Sequence, residues 1–155
     1  MPVPTTSEGI RTSHAISIHP SVGAAAIGQI QSWAPNQSRT ITPTYELDSR
    51  TSGNVVDNVP GNVTGLTIQV SRYDLFTVKM EEVWGSSAFW MLGDQQTALE
   101  IREKWQPPGG GPAEFYHYKG CWFSQLGRNM QAEGNRIVMV NATLNYVSVQ
   151  PQQQQ

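Results

Sequence analysis

The sequence predicts a mainly β protein, and three observations carry that prediction. The segment from Ile137 to Val149 places apolar residues at every second position, the period of a strand with one buried and one wet face. The chain holds 14 glycines and 10 prolines, which indicates many turns and few long helices. Hydrophobic residues make up 38% and charged residues 14%, so we expect a packed core under a weakly charged surface. A length of 155 residues fits one domain.

The first half of the chain is predicted to hold an arm, two short strands and a loop. Residues 1–12 are rich in Pro, Thr and Ser, and predict an N-terminal arm that becomes ordered only against another surface. The strands are predicted over residues 14–19 and 39–47, and the segment 24–33 between them is interrupted by Gly28. Pro43 lies inside the strand at 39–47, which indicates an edge or a bulge open to a neighbouring subunit. Residues 48–61 form a polar stretch that is long for a compact domain, and we interpret it as an extended interaction loop.

The second half is predicted to hold four strands and one flanking α-helix. The strands are predicted over residues 63–71, 97–105, 113–122 and 137–149. Asp74 suits the N-cap of a helix that continues to Trp84 and ends at Gly85, with apolar side chains on one side at helical spacing. The connections are a hairpin turn at 107–112, a link over 124–134 and a flexible Gln-rich tail at 150–155. The domain itself is therefore predicted to cover residues 13–149.

Charge and cysteine content exclude several function classes. The net charge is −2 and no block of basic residues is present, which argues against tight binding of nucleic acid. Cys121 is the single cysteine, so the chain has no intrachain disulfide and no Cys-based zinc site. No segment approaches the roughly 20 apolar residues of a membrane span, and no secretory signal is predicted. Assembly in a cytoplasm is the simplest expectation.

No catalytic or metal-binding constellation is predicted, and we expect neither an enzyme nor a cofactor. The histidines lie far apart, at His14, His19 and His117. Cys121 is flanked by Trp122 and Phe123, which favours a small buried apolar residue over a nucleophile. The triple glycine at 109–111 lacks the Lys-Ser/Thr pair of a phosphate-binding loop. Glu81 and Glu82 are neighbours on the predicted helix and diverge by about 100°, so they are not a facing acid/base pair.

The tryptophan residues leave carbohydrate binding as an alternative function. Trp90, within residues 87–92, is the best candidate for an exposed aromatic patch. Such a patch suits a subunit interface, and it equally suits stacking on a sugar ring in a carbohydrate-binding β-sandwich module.

The C-terminal third resembles a known family. The run from Tyr118 to Phe123, the Leu-Gly-Arg at 126–128, Gly134-Asn135 and the strand ending Ala-Thr-Leu-Asn-Tyr-Val at 142–147 are similar to tail tube proteins of contractile-tailed bacteriophages. The likeness continues upstream in residues 27–47 and in the strand and helix between Gly65 and Trp84. It covers most of residues 14–149.

Membership of this family implies a fold, an assembly and a set of partners. The fold is an antiparallel β-sandwich with a flanking helix, shared with type VI secretion tubes and R-type bacteriocin tubes. Six subunits form a ring whose inner strands join into one barrel, and stacked rings form the conduit for DNA ejection into the host. The implied partners are other copies of the chain, the tail sheath, the tape-measure protein, and the baseplate and tail-terminator proteins. DNA is a partner only in transit, the chain does not insert into a membrane, and the implied location is the virion after assembly in the bacterial cytoplasm. A tube initiator, terminator or baseplate-end protein of the same fold is the alternative.

Two sets of residues are predicted to carry the tube function. Polar faces of alternating strands hydrate well without gripping phosphate, which favours as lumen-facing residues Thr40, Thr42, Thr44, Glu46, Asn141, Thr143 and Asn145. The polar loop favours as contacts between rings Asp48, Arg50, Asn54, Asp57 and Asn58. Because cations in the channel would retard DNA, we expect Arg102 and Lys104 to pair with acidic residues such as Glu100 or to face away.

Overall fold

The computed structural model describes residues 3–20, 25–76 and 91–153, and seven antiparallel strands dominate them. The strands are β1 (Ile16–His19), β2 (Ile30–Thr44), β3 (Asp57–Tyr73), β4 (Leu99–Trp105), β5 (Glu114–Asn129), β6 (Met139–Asn145) and β7 (Ser148–Gln153). Single 3₁₀ turns lie at Ser13–Ala15 and Leu92–Asp94. The mainly β prediction is confirmed. The predicted flanking helix falls, from residue 77 onward, outside the described residues.

The strands form two four-stranded sheets that share β5. The first half of β5 pairs with β4 and β7, and β1 pairs with the far side of β4; we call this sheet A. The second half of β5, from Trp122 to Asn129, pairs with β6, which pairs with β3, which pairs with β2; we call this sheet B. Buried residues from both sheets form one core, so the arrangement is a sandwich.

The core is built by the alternation that the sequence shows. Sheet B contributes Ile68, Val70, Phe123, Val140, Ala142 and Leu144, and sheet A contributes Ile18, Leu99, Ile101, Tyr118 and Cys121. Each fully buried aliphatic side chain of this kind stabilises the fold by about 1.5–3 kcal/mol. Arg72 is also buried, and its Nε donates a hydrogen bond to the carbonyl of Gly28 at 3.0 Å, which fixes the segment before β2 against the core.

Gly120 marks the point where β5 passes from sheet A to sheet B. Its φ is +68°, and a Cβ at this position would lie 2.7 Å from Val147 Cγ2. Val147 lies in the connection between β6 and β7, at the point where this connection passes next to β5. Its backbone N–H donates a hydrogen bond to the carbonyl of Lys119 at 2.9 Å. Gln95 completes the junction: its side chain accepts from the N–H of Phe123 and donates to the carbonyl of Cys121. The Lys-Gly-Cys motif is thus required by a close backbone crossing.

In the first half of the chain the bounds of β2, of β3 and of the loop between them differ from the prediction. The end of the segment 24–33 and most of the strand predicted at 39–47 belong to one strand, β2, which starts at Ile30 and ends at Thr44. β3 begins at Asp57, so the loop covers residues 45–56 instead of 48–61, and Asp57 and Asn58 are strand residues. Among the described residues β2 pairs only with β3, so its other side is an edge, as predicted from Pro43. An edge strand tolerates proline because one row of its N–H groups needs no strand partner.

The remaining corrections concern strand ends in the C-terminal half and β1. β5 continues to Asn129, into the segment predicted as a link at 124–134. The predicted strand 137–149 is divided at Tyr146–Val147, and the tail predicted to be flexible from Gln150 is β7 as far as Gln153. Val149 packs against the core and so holds the start of β7 beside β5. The glutamines that follow continue the strand because backbone hydrogen bonds to β5 do not depend on the side chain. The first strand starts at Ile16 after a 3₁₀ turn, two residues later than predicted.

Candidate functional site

The face of sheet B that points away from the core is polar and uncharged. Residues opposite one another on antiparallel strands share a face, so the pairing register defines three rows across β2, β3, β6 and β5. These rows are Ser32–Ser71–Asn141–Gly127, Ala34–Gln69–Thr143–Gln125 and Asn36–Thr67–Asn145–Trp122. None of these twelve positions carries a charge. We call this surface the polar face.

The polar face continues along β2 beyond the other strands. The register shifts after Asn36 and after Arg39 each place the extra residue in β3, so β2 keeps its alternation. Thr40, Thr42 and Thr44 therefore share the face of Asn141, Thr143 and Asn145, as one predicted set requires. Glu46 lies past the end of β2 in the loop, outside this register.

Sequence reasoning predicted only three of the twelve positions, Asn141, Thr143 and Asn145. Gln69 and Ser71 had the signal, since they alternate with buried Ile68 and Val70, but only the register shows that they adjoin Asn141 and Thr143. Trp122 was not among the predicted site residues, and it lies on the polar face with 43% of the residue exposed.

The cations of sheet A lie on the opposite side of the sandwich. Arg102 and Lys104 alternate with the core-facing Ile101 and Glu103, so they point away from the core and away from the polar face. Arg102 stacks on Phe115 with 4.7 Å between the guanidinium carbon and the ring centroid. Glu100 contacts His117 at 3.4 Å. Of the two expectations, facing away is the one that the geometry supports.

Sheet B has an open edge on each side among the described residues. One is β2, and the other is β5 after Phe123, where Gln95 covers only the first backbone position. Beyond Asn36 and before Leu66, β2 and β3 pair only with each other; residues 37–65 are called the overhang. Apolar side chains are exposed along it, including Ile41 at 55% and Leu47 completely. Exposed edges and apolar residues of this kind indicate an assembly surface.

The loop at the tip of the overhang is ordered by its own contacts. Arg50 binds Asp48 through Nε at 3.0 Å and through Nη2 at 2.8 Å, and its backbone N–H also donates to that carboxylate. This guanidinium lowers the pKa of Asp48 below its ordinary value. Asn54 closes a turn on the carbonyl of Thr51 at 2.9 Å. Asp57 pairs with Thr44 in the register, at the end of the overhang next to the loop.

Side chains that could bind a metal or act as nucleophiles lie apart from one another in the described part of the chain. It contains no group of three His, Cys, Asp or Glu side chains arranged to hold a metal. Cys121 is fully buried, and burial raises its pKa to about 12, which keeps the thiol protonated and inert. Within these ranges no helix is long and apolar enough to cross a membrane. Glu81, Glu82 and Trp90 lie outside the described residues.

Comparison with known proteins identifies the fold. No protein-family model matches the chain, and no curated protein is significantly similar to it in sequence. A chain of the sheath/tube terminator of an extracellular contractile injection system, PVC, superposes with a TM-score of 0.68 at 16% identity, over 95% of this chain and 99% of that one. A chain of the tube-terminating cap of the anti-feeding prophage gives 0.65 at 14% identity, over 99% and 94%. The tail tube of SPP1 gives 0.60 at 10% identity, over 92% and 79%. The chain has the fold of tail tube and tube-terminator proteins.

Proposed function

We propose that this chain is a structural subunit of a phage-type tail tube, in which sheet B closes with its neighbours into a ring and lines the channel. The observation that carries the proposal is the combination of an uncharged polar face with two open edges on the same four-stranded sheet. Pairing β2 of one copy with β5 of the next removes both edges and turns every polar face inward.

The dimensions of such a ring suit a conduit. Six copies give a barrel of about 24 strands, and a strand spacing of about 4.8 Å with a tilt of about 40° gives a backbone diameter of about 48 Å. Side chains standing about 5 Å from each wall leave a channel of about 38 Å. This is wide enough for duplex DNA, and before it for a tape-measure protein.

The chemistry of the proposed lining suits passage without binding. Thr40, Thr42, Thr44, Asn141, Thr143 and Asn145 remain the proposed lumen residues, joined by Gln69, Ser71 and Gln125. Hydroxyl and amide groups bind water but carry no positive charge, so they do not neutralise phosphate groups or release the counterions of DNA. DNA therefore gains little free energy by binding to this surface. Arg102 and Lys104 lie on the far side of the sandwich, so the proposed lining does not include them. A surrounding sheath is the proposed partner on the outside of the tube. Baseplate and terminator proteins are the proposed partners at the tube ends, and the virion is the proposed location.

Contacts between successive rings are proposed for the tip of the overhang. Asp48, Arg50, Asn54, Asp57 and Asn58 supply polar groups there, and the exposed Tyr45 and Leu47 supply apolar contact. The pairing of β3 with β6 ends at Thr67, so the rest of the overhang extends past β6, which favours it for contact with a second ring.

Cross-linking tests ring closure. Ala34→Cys places a thiol on the β2 edge and Gln125→Cys places one on the β5 edge of the same row. A short bismaleimide should join copies of the double variant into a ladder that stops at six chains. Each single variant is the matched control and should give dimers at most, because native Cys121 is buried. Exclusively monomeric product from the double variant, at concentrations where the wild type assembles, contradicts closure through these edges.

Shortening the tip tests stacking separately. Replacing residues 47–54 with a two-residue turn should leave rings but abolish long tubes, as seen by negative-stain electron microscopy. The matched control replaces the hairpin turn at 107–112 in the same way. Tubes of normal length from the tip variant refute the role in stacking while leaving ring closure intact.

A tube-end protein is the second candidate. Two of the structures with this fold are described as a tube terminator and a terminating cap. A terminator should form single rings that add to tube ends without polymerising alone, so the length distribution of assemblies from the pure chain distinguishes the two. A carbohydrate-binding module is the third, since Trp122 stands exposed beside Asn145; binding of glycans by the soluble monomer would favour it.

A further inference from the structure

A buried carboxylate in the sandwich forms no salt bridge with any described residue, although Arg11 lines the same cavity and interacts with it electrostatically at longer range. Glu103 is 6% exposed and points into the core side of β4. Its Oε2 accepts a hydrogen bond from the hydroxyl of Tyr118 at 3.2 Å, and within the described residues it makes no salt bridge. Burial raises the pKa of this carboxyl, because desolvation penalises the charged form. A charge in this position is costly unless a cation compensates it.

The carboxylate opens onto a cavity walled by aromatic rings. This cavity has a volume of about 470 Å³, and Glu103 lines it together with Trp105, Tyr116, Tyr118 and Tyr146. Asn36 and Gln37 close one side, which places the cavity under the root of the overhang. Volumes of about 300–1,000 Å³ are typical of small-ligand sites. Aromatic faces around a carboxylate attract cations through both the ring quadrupole and the charge.

Arg11 shows that this wall accepts a guanidinium group. Its guanidinium carbon lies 4.9 Å from the centroid of Trp105 and 5.8 Å from that of Tyr116. The same side chain is bound to Glu114 at 2.6 Å and to the hydroxyl of Tyr116 at 3.1 Å, and it is half exposed at the mouth of the cavity. Its hydrogen bonds are thus made to surface groups, and Glu103 is left without one from it.

We propose that the Glu103 cavity is a binding site for an organic cation, an ammonium or guanidinium group that forms the missing salt bridge. Two sources share this chemistry: a free small molecule, and a Lys or Arg side chain of a second copy inserted beneath the overhang. The site itself does not depend on tube assembly. Arg11 competes for the ring faces at the entrance, so its removal should make the site more accessible.

Binding to the cavity can be measured through the NMR signals of the tryptophan indole N–H groups. N-acetyl-arginine amide is titrated into the soluble protein while ¹⁵N–¹H spectra follow the tryptophan indole groups, with N-acetyl-glutamine amide as the neutral control. The Trp105 signal should shift saturably with the arginine compound only, and the exposed Trp122 signal should stay in place. Glu103→Gln should weaken binding by about tenfold or more, as expected for loss of a desolvated charge pair. Arg11→Ala should strengthen it, because it removes the competing guanidinium group at the entrance.

The outcomes separate the proposal from its alternatives. The absence of a saturable shift in both the wild type and Arg11→Ala overturns the proposal. Binding by Glu103→Gln as tight as that of the wild type also overturns it, provided that the variant is folded. If assembled protein no longer binds the arginine compound while the monomer does, the natural occupant is a basic side chain of a second copy. Equal binding by both forms assigns the site to a free cation.

Discussion

Substituting Gly120 with alanine tests the crossing that holds the two sheets together. The residue has φ +68°, and an added Cβ would lie 2.7 Å from Val147 Cγ2 and 3.0 Å from Val147 Cβ. A left-handed conformation costs an L-residue about 1–2 kcal/mol. Forcing a methyl group into a filled space costs about 1–3 kcal/mol more, because carbon atoms pack at about 3.5–4.0 Å. We expect Gly120→Ala to lower the free energy of unfolding by about 3 kcal/mol.

Gly134 provides the matched control. Its φ is +74°, and an added Cβ there meets nothing within 4 Å, so Gly134→Ala carries only the conformational cost of about 1–2 kcal/mol. Urea unfolding of both variants, under conditions where the protein is monomeric, isolates the contact with Val147. Val147→Ala in the Gly120→Ala background should recover part of the loss, because Val147 is 73% exposed and contributes little itself. Equal destabilisation by the two glycine substitutions refutes the close crossing.

Three further predictions follow from buried groups. Cys121, whose pKa is raised to about 12, should resist thiol reagents at pH 8 in the native protein and react fully in urea; rapid native labelling contradicts its burial. Tyr146→Phe removes a 2.9 Å hydrogen bond to the carbonyl of Asn36 and should cost about 1 kcal/mol in urea unfolding, whereas Tyr45→Phe, at an exposed tyrosine, should cost almost nothing. Because the pKa of Glu103 is raised in the folded state, the folded protein binds more protons than the unfolded one just above pH 4.5, and stability falls as pH rises through that window. The stability advantage of Glu103→Gln should therefore grow between pH 4 and pH 7, and a gap that does not change with pH counts against a buried charge.

Alternation predicted the buried face of the C-terminal strand. Val140, Ala142, Leu144 and Tyr146 are buried and Val138 is half-buried, because the period of two is a direct consequence of backbone geometry. Alternation in β3 likewise accompanies burial of Ile68 and Val70. In residues 39–47 it does not, since Ile41, Tyr45 and Leu47 are exposed.

Strand ends and strand pairing were not predictable in the same way. Nothing in the local composition of Asp57–Gly61 or Gln150–Gln153 favours a strand, and both segments are strands because a neighbour offers backbone partners. Gly65, with φ +66°, lies between two paired stretches of β3 and permits the register shift that keeps the threonines of β2 on the polar face. A non-local pairing of this kind leaves no periodic signal in the sequence.

The polar face and the Glu103 cavity illustrate the same limit. Asn141 and Thr143 were singled out from one strand, but Gln69 and Gln125 join them only through cross-strand register. Glu103 has the same parity in β4 as the buried Leu99 and Ile101, so alternation alone places it on the core side. It was passed over because a carboxylate is not expected among core residues, and the aromatic groups around it come from other strands.

Cryo-electron microscopy of the purified protein tests the central claim most directly. The proposal predicts hollow tubes of stacked six-fold rings, with Gln69, Asn141 and Thr143 lining the channel and with Arg102 and Lys104 on the outer wall. Stable monomers that never polymerise, or tubes whose channel is lined by the Arg102 side of the sandwich, would contradict it.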